Sequence, residues 1–526
     1  MLKKTTTARA VVPLVALALA VAACGSSKSS SGGATTAAPA ATTAAAAATT
    51  AAAAATTAPT TAAANTATTA AATGGKGGVS PACKPDASID SVEGVNAGQF
   101  TADIACAATK PLKAAGDSIT IGLQNPQGDP NGSFPEYSSA VQAAVKYINE
   151  ELGGIGSDLS AGKAGRPIKL ETCFMAINPA DSQKCANELA GKKPFTVISS
   201  LNFFGNHFPI YKQAGINVIV GTPITIGDFT SDGVYAIGAG GGCLGAHTAL
   251  VYTATQILKG KKIAVPWADT PPGVVCYYDL EKKPLDVLQG SVKGTSKLAG
   301  SIPDLTQIGI PIKPATPDLS AQVTQILDFK PDVILFSAQG ADCWNLVDAL
   351  GRLGWTPDKI PLVMTGACID LEKQKAAGAL AKGIYFLGAG GAVLGDPSQN
   401  AGDRFKLESQ DYVDKAKKYG MEAADIQKGF GAQGWSVMMT IWEQANIAAK
   451  KGALTPDSFK AQMGSTKENH IFGSVPFGCT AAPKPYVAIC NGTANLLQWD
   501  GAKFDVKNPK FSGVDLVAGT ELKPGP

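Results

Sequence analysis

The strongest constraint on the fold is an alternation of short apolar segments with amphipathic helical segments between residues 117 and 390. The first apolar segment, 118–123, is rich in β-branched residues and ends in a loop containing glycine, proline and asparagine. The helix expected at 137–151 has its apolar residues at helical spacing. Because alternating strands and helices form parallel sheets covered on both faces, the pattern predicts an α/β fold.

The alternation restarts after residue 240, which predicts two doubly wound parallel-sheet lobes. We expect strands at 118–123, 168–170, 195–198, 217–220 and 234–237, then at 263–266, 333–336, 362–365 and 384–387. We expect helices at 137–151, 181–190, 208–214, 248–258, 279–288, 319–328 and 342–353. Past residue 391, helices are expected at 404–419, 432–450 and 456–463, the last with Thr455 as N-cap and Pro456 at its first position. Short strands and turns follow at 476–506.

The N-terminus is typical of an exported chain. Three basic residues within the first nine precede an apolar run at 11–22, which is too short for a permanent membrane helix. Small residues lead to Cys24, and together they resemble a bacterial lipobox in which Cys24 is lipidated. We therefore expect a lipoprotein signal peptide at 1–23, and the alternative is an ordinary signal peptide followed by an incidental cysteine.

Two further segments separate this signal from the lobes. Residues 24–79 are almost wholly alanine, threonine, serine and glycine, a composition that predicts a flexible linker. The segment 80–116 contains Cys83, Cys106 and scattered charges, and we expect a short preface stapled onto the main domain by one disulfide.

Charge and cysteine content narrow the class of protein. Removal of the three basic residues of the signal leaves 42 basic and 42 acidic residues, so the mature chain has no electrostatic reason to bind nucleic acid. Eleven cysteines less Cys24 leave ten, an even number that predicts disulfides in an oxidising compartment. Neighbouring pairs are the simplest connectivity: Cys83–Cys106, Cys173–Cys185, Cys243–Cys276, Cys343–Cys368 and Cys479–Cys490.

Catalytic and cofactor motifs are weak in this sequence. The three histidines His207, His247 and His470 are widely separated and lack metal-ligand spacing, and no G-x-S-x-G motif occurs. A G-x-G-x-x-G pattern spans 240–245, with Asp269 after the next strand, but an exported chain meets little NAD. We therefore expect no catalytic residue, no cofactor and no metal.

Polar, aromatic and glycine residues follow the expected strands, where open α/β sheets bind ligands. These loops are 127–135, 199–204, 221–225, 267–270, 337–340 and 365–367. Hydroxyls, amides and aromatic rings suit a small polar solute with an apolar part. Trp267 and Asp269 are the candidates from the fourth of these loops.

The order of several short motifs resembles the type I periplasmic binding proteins, specifically the branched-chain amino acid and amide group that serves ABC importers. The motifs are I-T-I-G at 119–122, A-V-K-Y-I-N at 144–149, G-G-I at 153–155, V-I-S-S at 197–200, A-G-I-N-V at 214–218, K-I-A-V at 262–265 and P-D-V-I at 331–334. The resemblance implies two lobes joined by three crossings that close like a hinge. On that template lobe one is 117–240 plus 391–468, and lobe two is 241–390 plus 469–526.

The resemblance also implies a ligand site. The positions that hold an amino acid's carboxylate in this family match Asn202, Phe203, Ile224 and Thr225, and Phe134 matches the aromatic cover. Three further positions depart from the family pattern: Ala367 stands where an acidic residue pairs with the ammonium, and Pro272 and Gln339 stand at aromatic positions. Because a buried ammonium without a counter-charge is costly, a solute that lacks an amine is favoured.

The sequence therefore predicts a lipid-anchored solute-binding protein on the extracytoplasmic face of the membrane. Its partners are a small-molecule ligand and the permease of an ABC importer, and it is not an enzyme. An extracellular ligand sensor built on the same lobes is the alternative, followed by an exported enzyme and a structural wall protein.

Overall fold

The structure of the chain is a computed structural model that describes residues 78–130, 132–238, 242–338, 340–388, 393–400, 402–465, 468–479 and 485–521. The expected signal peptide, the lipidation site Cys24 and the linker up to residue 77 lie outside the described residues, as do Gly240 and Gln339. The described residues belong to one compact unit.

The first sheet has five strands, all parallel, in the order β2-β1-β3-β4-β5. Its strands β1 and β3 are buried along nearly their whole length because helices cover both faces of the sheet. In the register, Ile121 of the first strand lies opposite Leu170 and Thr196 of its neighbours. The strands are β1 Ile119–Pro126, β2 Ile168–Met175, β3 Thr196–Leu201, β4 Val218–Thr222 and β5 Val234–Ala236.

The second sheet has seven strands in the order β12-β11-β10-β9-β8-β6-β7. Five strands are parallel, and the last two, β11 and β12, extend the sheet in antiparallel fashion beside β10. The strands are β6 Lys262–Ala268, β7 Thr306–Ile312, β8 Val333–Phe336, β9 Leu362–Thr365, β10 Tyr385–Gly388, β11 Ala494–Trp499 and β12 Phe504–Phe511.

The helices are α1 Asp90–Glu93, α2 Ala97–Thr109, α3 Pro135–Glu150, α4 Pro179–Gly191, α5 Phe208–Gln213, α6 Ile226–Thr230, α7 Gly242–Tyr252, α8 Pro271–Tyr277, α9 Lys283–Gln289, α10 Ser320–Phe329, α11 Ala341–Arg352, α12 Leu371–Ala377, α13 Asp403–Lys418, α14 Ala423–Ile426, α15 Gly429–Lys451 and α16 Pro456–Ser465. Two π-helical turns, Thr253–Ile257 and Tyr278–Lys282, continue α7 and join α8 to α9. The Thr455 hydroxyl accepts the Ser458 N–H at 3.1 Å, so the expected N-cap of α16 is present.

The predicted α/β class with two parallel-sheet lobes is confirmed, and the strands expected at 333–336 and 362–365 have those bounds. Several elements differ from the prediction, and helices α2, α8 and α12 were not expected. Strand β7 was missed because Pro311 and glycine interrupt its apolar pattern. The helix expected at 248–258 begins earlier, at Gly242, and the one expected at 279–288 is a π turn followed by α9.

We call the five-stranded sheet with its helices the first lobe, and the seven-stranded sheet with its helices the second lobe. Helix α15 returns to the first lobe and packs its tryptophans Trp435 and Trp442 into the core beside β1 and α3. The second lobe has a separate apolar core on each face of its sheet. The chain passes between the lobes three times, after β5, after β10 and after α16. The residue ranges that the sequence analysis assigned to the two lobes remain predictions.

The segment before β1 is an ordered part of the first lobe. Its disulfide, Cys83–Cys106, closes the segment on itself rather than onto the lobe. Attachment comes from packing, because the Phe100 ring contacts Trp442 at 5.9 Å and His470 at 4.5 Å between centroids. The main chain of Val95 also pairs with residues 468–470, which belong to the third crossing.

Five disulfides are present among the described residues. Their Cα–Cα separations range from 3.9 to 5.7 Å. The pairs are Cys83–Cys106, Cys173–Cys185, Cys243–Cys276, Cys343–Cys368 and Cys479–Cys490, the neighbouring connectivity expected from the sequence. Within the described part of the chain, none of the helices combines the length and apolar character needed to span a bilayer.

Candidate functional site

A cavity of about 850 Å³ lies where strands of both sheets end. On the first lobe it is lined by residues that follow β3 and β4, including Phe203 and Ile224. On the second lobe it is lined by residues after β8 and β9, including Ser337 and Ala367. Ligands of open α/β sheets bind at these carboxyl ends because the loops there diverge and leave space.

The wall of this cavity is largely apolar. Aromatic and aliphatic side chains come from both lobes and from the crossings, and Phe430 at the start of α15 is backed by Phe134 at 4.8 Å between ring centroids. The apolar members include Ile369, Leu387, Leu394, Phe405, Val437 and Phe472. A cavity of this size and character holds a small organic molecule with a substantial apolar part.

Several polar side chains in the wall are already hydrogen-bonded within the protein. The Thr222 hydroxyl donates to Gln433 Oε1, and Gln433 Nε2 donates to the Gly221 carbonyl at 3.0 Å. The Thr365 hydroxyl donates to the Ala338 carbonyl at 3.2 Å, and the Ser436 hydroxyl donates to the Phe472 carbonyl. These groups shape the wall, and a ligand gains little from them without breaking an existing bond.

Among the described residues of the wall there is one lysine, Lys428, and it is also paired. Its Nζ donates to Asp425 Oδ1 at 2.7 Å. Burial acts to lower the pKa of Lys428, but the Asp425 hydrogen bond and the charges of Glu136 and Asp370 outweigh it and raise the pKa. Its main chain bridges to Asp370 of the second lobe, so this residue joins the two sides of the cavity.

Two ionisable side chains in the wall have polar atoms that the protein does not fully use. His247 on α7 is 7% exposed, and its Nδ1 lies 3.0 Å from Oε1 of the fully buried Glu281. Asp342, in the first turn of α11, accepts the Ala315 N–H at 3.1 Å. Burial raises the pKa of Asp342, although the Ala315 hydrogen bond partly opposes this.

A metal site is excluded at His247 by the chemistry of the donors. Cys243, His247 and Cys276 have donor atoms within 4.8 Å of one another. The two sulfurs are bonded to each other, so neither is a thiolate, and one imidazole alone does not hold a metal ion.

The wall segment 471–475 is fixed by a buried group of charges, which we call the Arg404 cluster: Glu93, Arg404, Glu408, Glu443 and His470. Arg404 contacts Glu93 at 2.6 Å and Glu408 at 3.0 Å, and its Nη2 donates to the Ser474 carbonyl at 2.8 Å. His470 lies between Glu408 and Glu443, at 2.7 and 2.8 Å. The cluster thereby ties the segment before β1 to the third crossing.

Charges within this cluster set its protonation. Burial opposes the charged form of His470, yet Glu443 and Glu408 raise its pKa to about 9. Burial likewise acts to raise the pKa of Glu408, but Arg404 and His470 hold that pKa below its usual range. Burial raises the pKa of Glu443 despite its contact with His470.

The structure brings three of the predicted ligand residues, Phe203, Ile224 and Ala367, into the cavity wall. Phe134 lies behind Phe430 rather than in the wall. Gln339 is outside the described residues.

The remaining four predicted residues are held away from the wall by local structure. Asn202 donates to Ser182 Oγ at 2.8 Å and accepts the Phe204 N–H, so its amide is used. Thr225 caps α6 through Asp228. Trp267 stacks on Tyr277 in the core of the second lobe, and Asp269 is exposed.

His247, Asp342 and Lys428 in the wall were not predicted. Each lies on a helix or at its start rather than in a strand-end loop, and only the packing of the lobes brings them together. A usable signal for His247 was its position one helical turn after Cys243.

The G-x-G-x-x-G pattern has a packing explanation in its described part. Gly242 has a φ of +57°, and a Cβ there would lie 2.0 Å from the Pro223 carbonyl oxygen. Glycine is therefore required by the close approach of α7 to the loop after β4.

A serine–histidine pair in the first lobe is not placed for catalysis. Ser199 Oγ lies 3.1 Å from His207 Nε2, but both side chains are fully buried and neither lines the cavity. Burial lowers the pKa of His207 to about 3, so the ring is neutral.

A family model described as periplasmic binding protein matches residues 118–485, most of the chain. The chain belongs to the periplasmic binding protein family. It is thus an extracytoplasmic solute-binding protein of the ABC transporter type, and such proteins bind substrates without transforming them. No curated protein sequence matches the chain.

Solved structures share the fold at low identity. LivJ, a branched-chain amino acid transporter substrate-binding protein from Streptococcus pneumoniae in complex with isoleucine, is 14% identical with a TM-score of 0.52, covering 75% of this chain and 100% of its own. An R. palustris solute-binding protein in complex with 4-hydroxybenzoate is 16% identical, with a TM-score of 0.54 and coverage of 75% and 97%. A fatty acid ABC transporter substrate-binding protein from Thermomonospora curvata is 15% identical, with a TM-score of 0.57 and coverage of 79% and 97%. The resemblance to a leucine-binding-protein-like type I fold is confirmed.

Proposed function

We propose that the chain binds a small organic acid or amide without an amine in the cavity between its lobes and delivers it to an ABC importer. The observation that carries this proposal is the composition of the cavity wall. Apolar side chains dominate it, and Ala367 lies in the wall where relatives that bind amino acids have an acidic partner for the ammonium. The similar structures include one bound to 4-hydroxybenzoate and one of a fatty acid transporter, so the fold accepts such solutes.

Hinge closure provides the mechanism of binding. The wall is built from both lobes and from the crossings, so a ligand contacts both sides only when the lobes are together. A ligand that binds the closed form better shifts the population toward it, and the permease then recognises the closed form.

Mass spectrometry and calorimetry test the ligand class. Native mass spectrometry of freshly purified full chain identifies any co-purified solute, and calorimetry measures 4-hydroxybenzoate, hexanoate and isoleucine. We expect the acids to bind and to raise the melting temperature. At a hundredfold excess of ligand over Kd, the unfolding free energy should rise by about 3 kcal/mol. Tight binding of isoleucine, leucine or valine contradicts the amine-free class, and turnover of any compound contradicts the binding role.

We also propose that Cys24 anchors the mature chain to the membrane through lipid, because the sequence before it is that of a lipoprotein signal. Cys24→Ala in the native host tests this. We expect the variant to leave the membrane fraction, and an unchanged distribution between membrane and soluble fractions rules the anchor out.

A further inference from the structure

We propose that His247, held by Glu281, donates the hydrogen bond that receives the ligand's carboxylate on the second-lobe side of the cavity. The inference rests on the proposed function, because it needs a ligand in that cavity. It assigns the polar contact that the largely apolar wall otherwise lacks.

The local helical geometry brings the two side chains together. Cys243 and His247 are four residues apart on α7 and share one face of the helix. Their partners Cys276 and Glu281 are five residues apart, and the π turn Tyr278–Lys282 accommodates the extra residue. The ion pair therefore forms one turn beyond the Cys243–Cys276 disulfide, which fixes the two helices against each other.

Burial makes His247 the required partner of Glu281. The Glu281 side chain is fully buried, and neither of its oxygens has a well-aligned hydrogen bond from the described residues. Nearby lysines are engaged elsewhere, since Lys282 pairs with Asp286 at 2.7 Å and Lys283 pairs with Asp279. A buried carboxyl group needs a hydrogen-bonding partner beside it, and the His247 ring, with Nδ1 3.0 Å from Glu281 Oε1, is placed to be that partner.

The second ring nitrogen of His247 is then free for a ligand. His247 lines the cavity, and the ring nitrogen that lies beside Glu281 is Nδ1, which leaves Nε2 outside that contact. A ring that donates to Glu281 through Nδ1 and to a ligand's carboxylate through Nε2 carries hydrogen on both nitrogens, and in that form Nε2–H suits a carboxylate or carbonyl oxygen. The first turns of α7 and α15 also line this cavity, and the N-termini of helices favour negative charge.

The experiment compares acids with their amides. Affinities of the full chain for hexanoate, hexanamide, 4-hydroxybenzoate and 4-hydroxybenzamide are measured by calorimetry for the wild type, His247→Gln and Glu281→Gln. We expect His247→Gln to weaken the acids about 10- to 100-fold, the size of one charge-assisted hydrogen bond, and to weaken the amides much less. Lys282→Gln is the matched control, because it removes an ion pair from the same π turn outside the cavity wall and leaves affinities unchanged.

A spectroscopic readout separates ligand contact from a structural role. The chain has three histidines, so ¹⁵N-histidine labelling gives three imidazoles, and His207 and His470 are internal controls outside the wall. We expect the Nε2 resonance of His247 to shift on addition of hexanoate and the other two to stay in place. Because this measurement uses the wild type, it tests the contact between His247 and the ligand even if a variant fails to fold.

The outcomes are distinct. If the wild type binds an acid while His247→Gln weakens acid and amide equally, or the His247 resonance does not move, the inference is wrong and the proposed function stands. If the wild type binds no compound of the panel, the amine-free class itself fails.

Discussion

Two buried histidines in this protein pair with glutamates, and they differ in what surrounds them. His470 contacts glutamates through both ring nitrogens, and Arg404 completes a network in which Glu408 also accepts the Gly473 N–H at 2.6 Å. His247 contacts Glu281 through one nitrogen and presents the rest of its ring to the cavity. The first arrangement holds the wall in place, and the second leaves a polar group for a ligand.

Buried charged groups in a binding protein can either fix the structure or contact a ligand, and their partners distinguish the two roles. A network whose members are all partnered fixes a structure, and removal of one member leaves a neighbour charged and unpaired. Where a histidine–glutamate pair beside a cavity leaves one ring nitrogen outside the pair, this nitrogen indicates where a ligand binds. The following predictions test this contrast.

The largest expected effect is on stability, from Arg404→Met. The substitution leaves Glu93 and Glu408 buried without their cation, and we expect a loss of about 3–5 kcal/mol in unfolding free energy. Urea denaturation of the full chain measures it. The matched control is Arg352→Met, since Arg352 forms an i,i+4 pair with Asp348 that is exposed, and we expect a loss below about 1 kcal/mol. Equal losses in the two variants would refute the structural role given to the Arg404 cluster.

The next effect is the pH dependence of stability. The folded-state pKa of His470 is about 9, above its ordinary value. The contribution of His470 to the unfolding free energy is therefore complete below about pH 6.5 and is lost as the pH rises through 9. We expect the unfolding free energy to fall by about 2–3 kcal/mol between pH 6.5 and 9.

Asp411 provides the control for this titration. Burial raises the pKa of Asp411 to about 7. Its contribution to the unfolding free energy is therefore complete below its ordinary pKa and is lost as the pH rises through 7, whereas the contribution of His470 is lost as the pH rises through 9. Asp411→Asn should therefore leave the slope between pH 7.5 and 9 in place. A flat profile in that window in the wild type contradicts the protonation given to His470.

The smallest effect on stability is expected in the cavity wall. Ala246 faces the cavity, whereas Ala249, three residues later on α7, is fully buried in the core. We expect Ala246→Phe to change the unfolding free energy by less than about 1 kcal/mol and to abolish ligand binding by filling the site. Ala249→Phe should cost about 1–3 kcal/mol through overpacking. Melting curves with calorimetry distinguish them, and intact binding by Ala246→Phe would mean that the ligand binds elsewhere.

The sequence predicted the fold because the fold is encoded locally. The segments that became β8 and β9 are short apolar runs between turn residues, and their bounds followed from that pattern alone. Strand β7 was missed because proline and glycine weaken its signal. The π turn before α9 was also missed, since no local pattern in the sequence distinguishes it from an α-helix.

The site was harder to predict because it is assembled from distant parts of the chain. Of the loop residues predicted to bind the ligand, Phe203, Ile224 and Ala367 lie in the cavity wall, and their contact with a ligand stays a prediction. The same reasoning placed Asn202 and Thr225 there, but both side chains bond within their own loops. His247 had one local signal, its position one helical turn after Cys243, but its role depends on Glu281, which only tertiary packing brings near.

The contact between Glu93 and Arg404 has a practical consequence for anyone who shortens this chain. The family match covers 118–485, so a fragment cut to those limits is the natural first choice for expression. Such a fragment lacks Glu93 and the Phe100 ring that covers His470, and it also lacks β11 and β12. If that fragment failed to bind a ligand, the cause would be the missing segments, and the result would not test which ligand the intact receptor recognises.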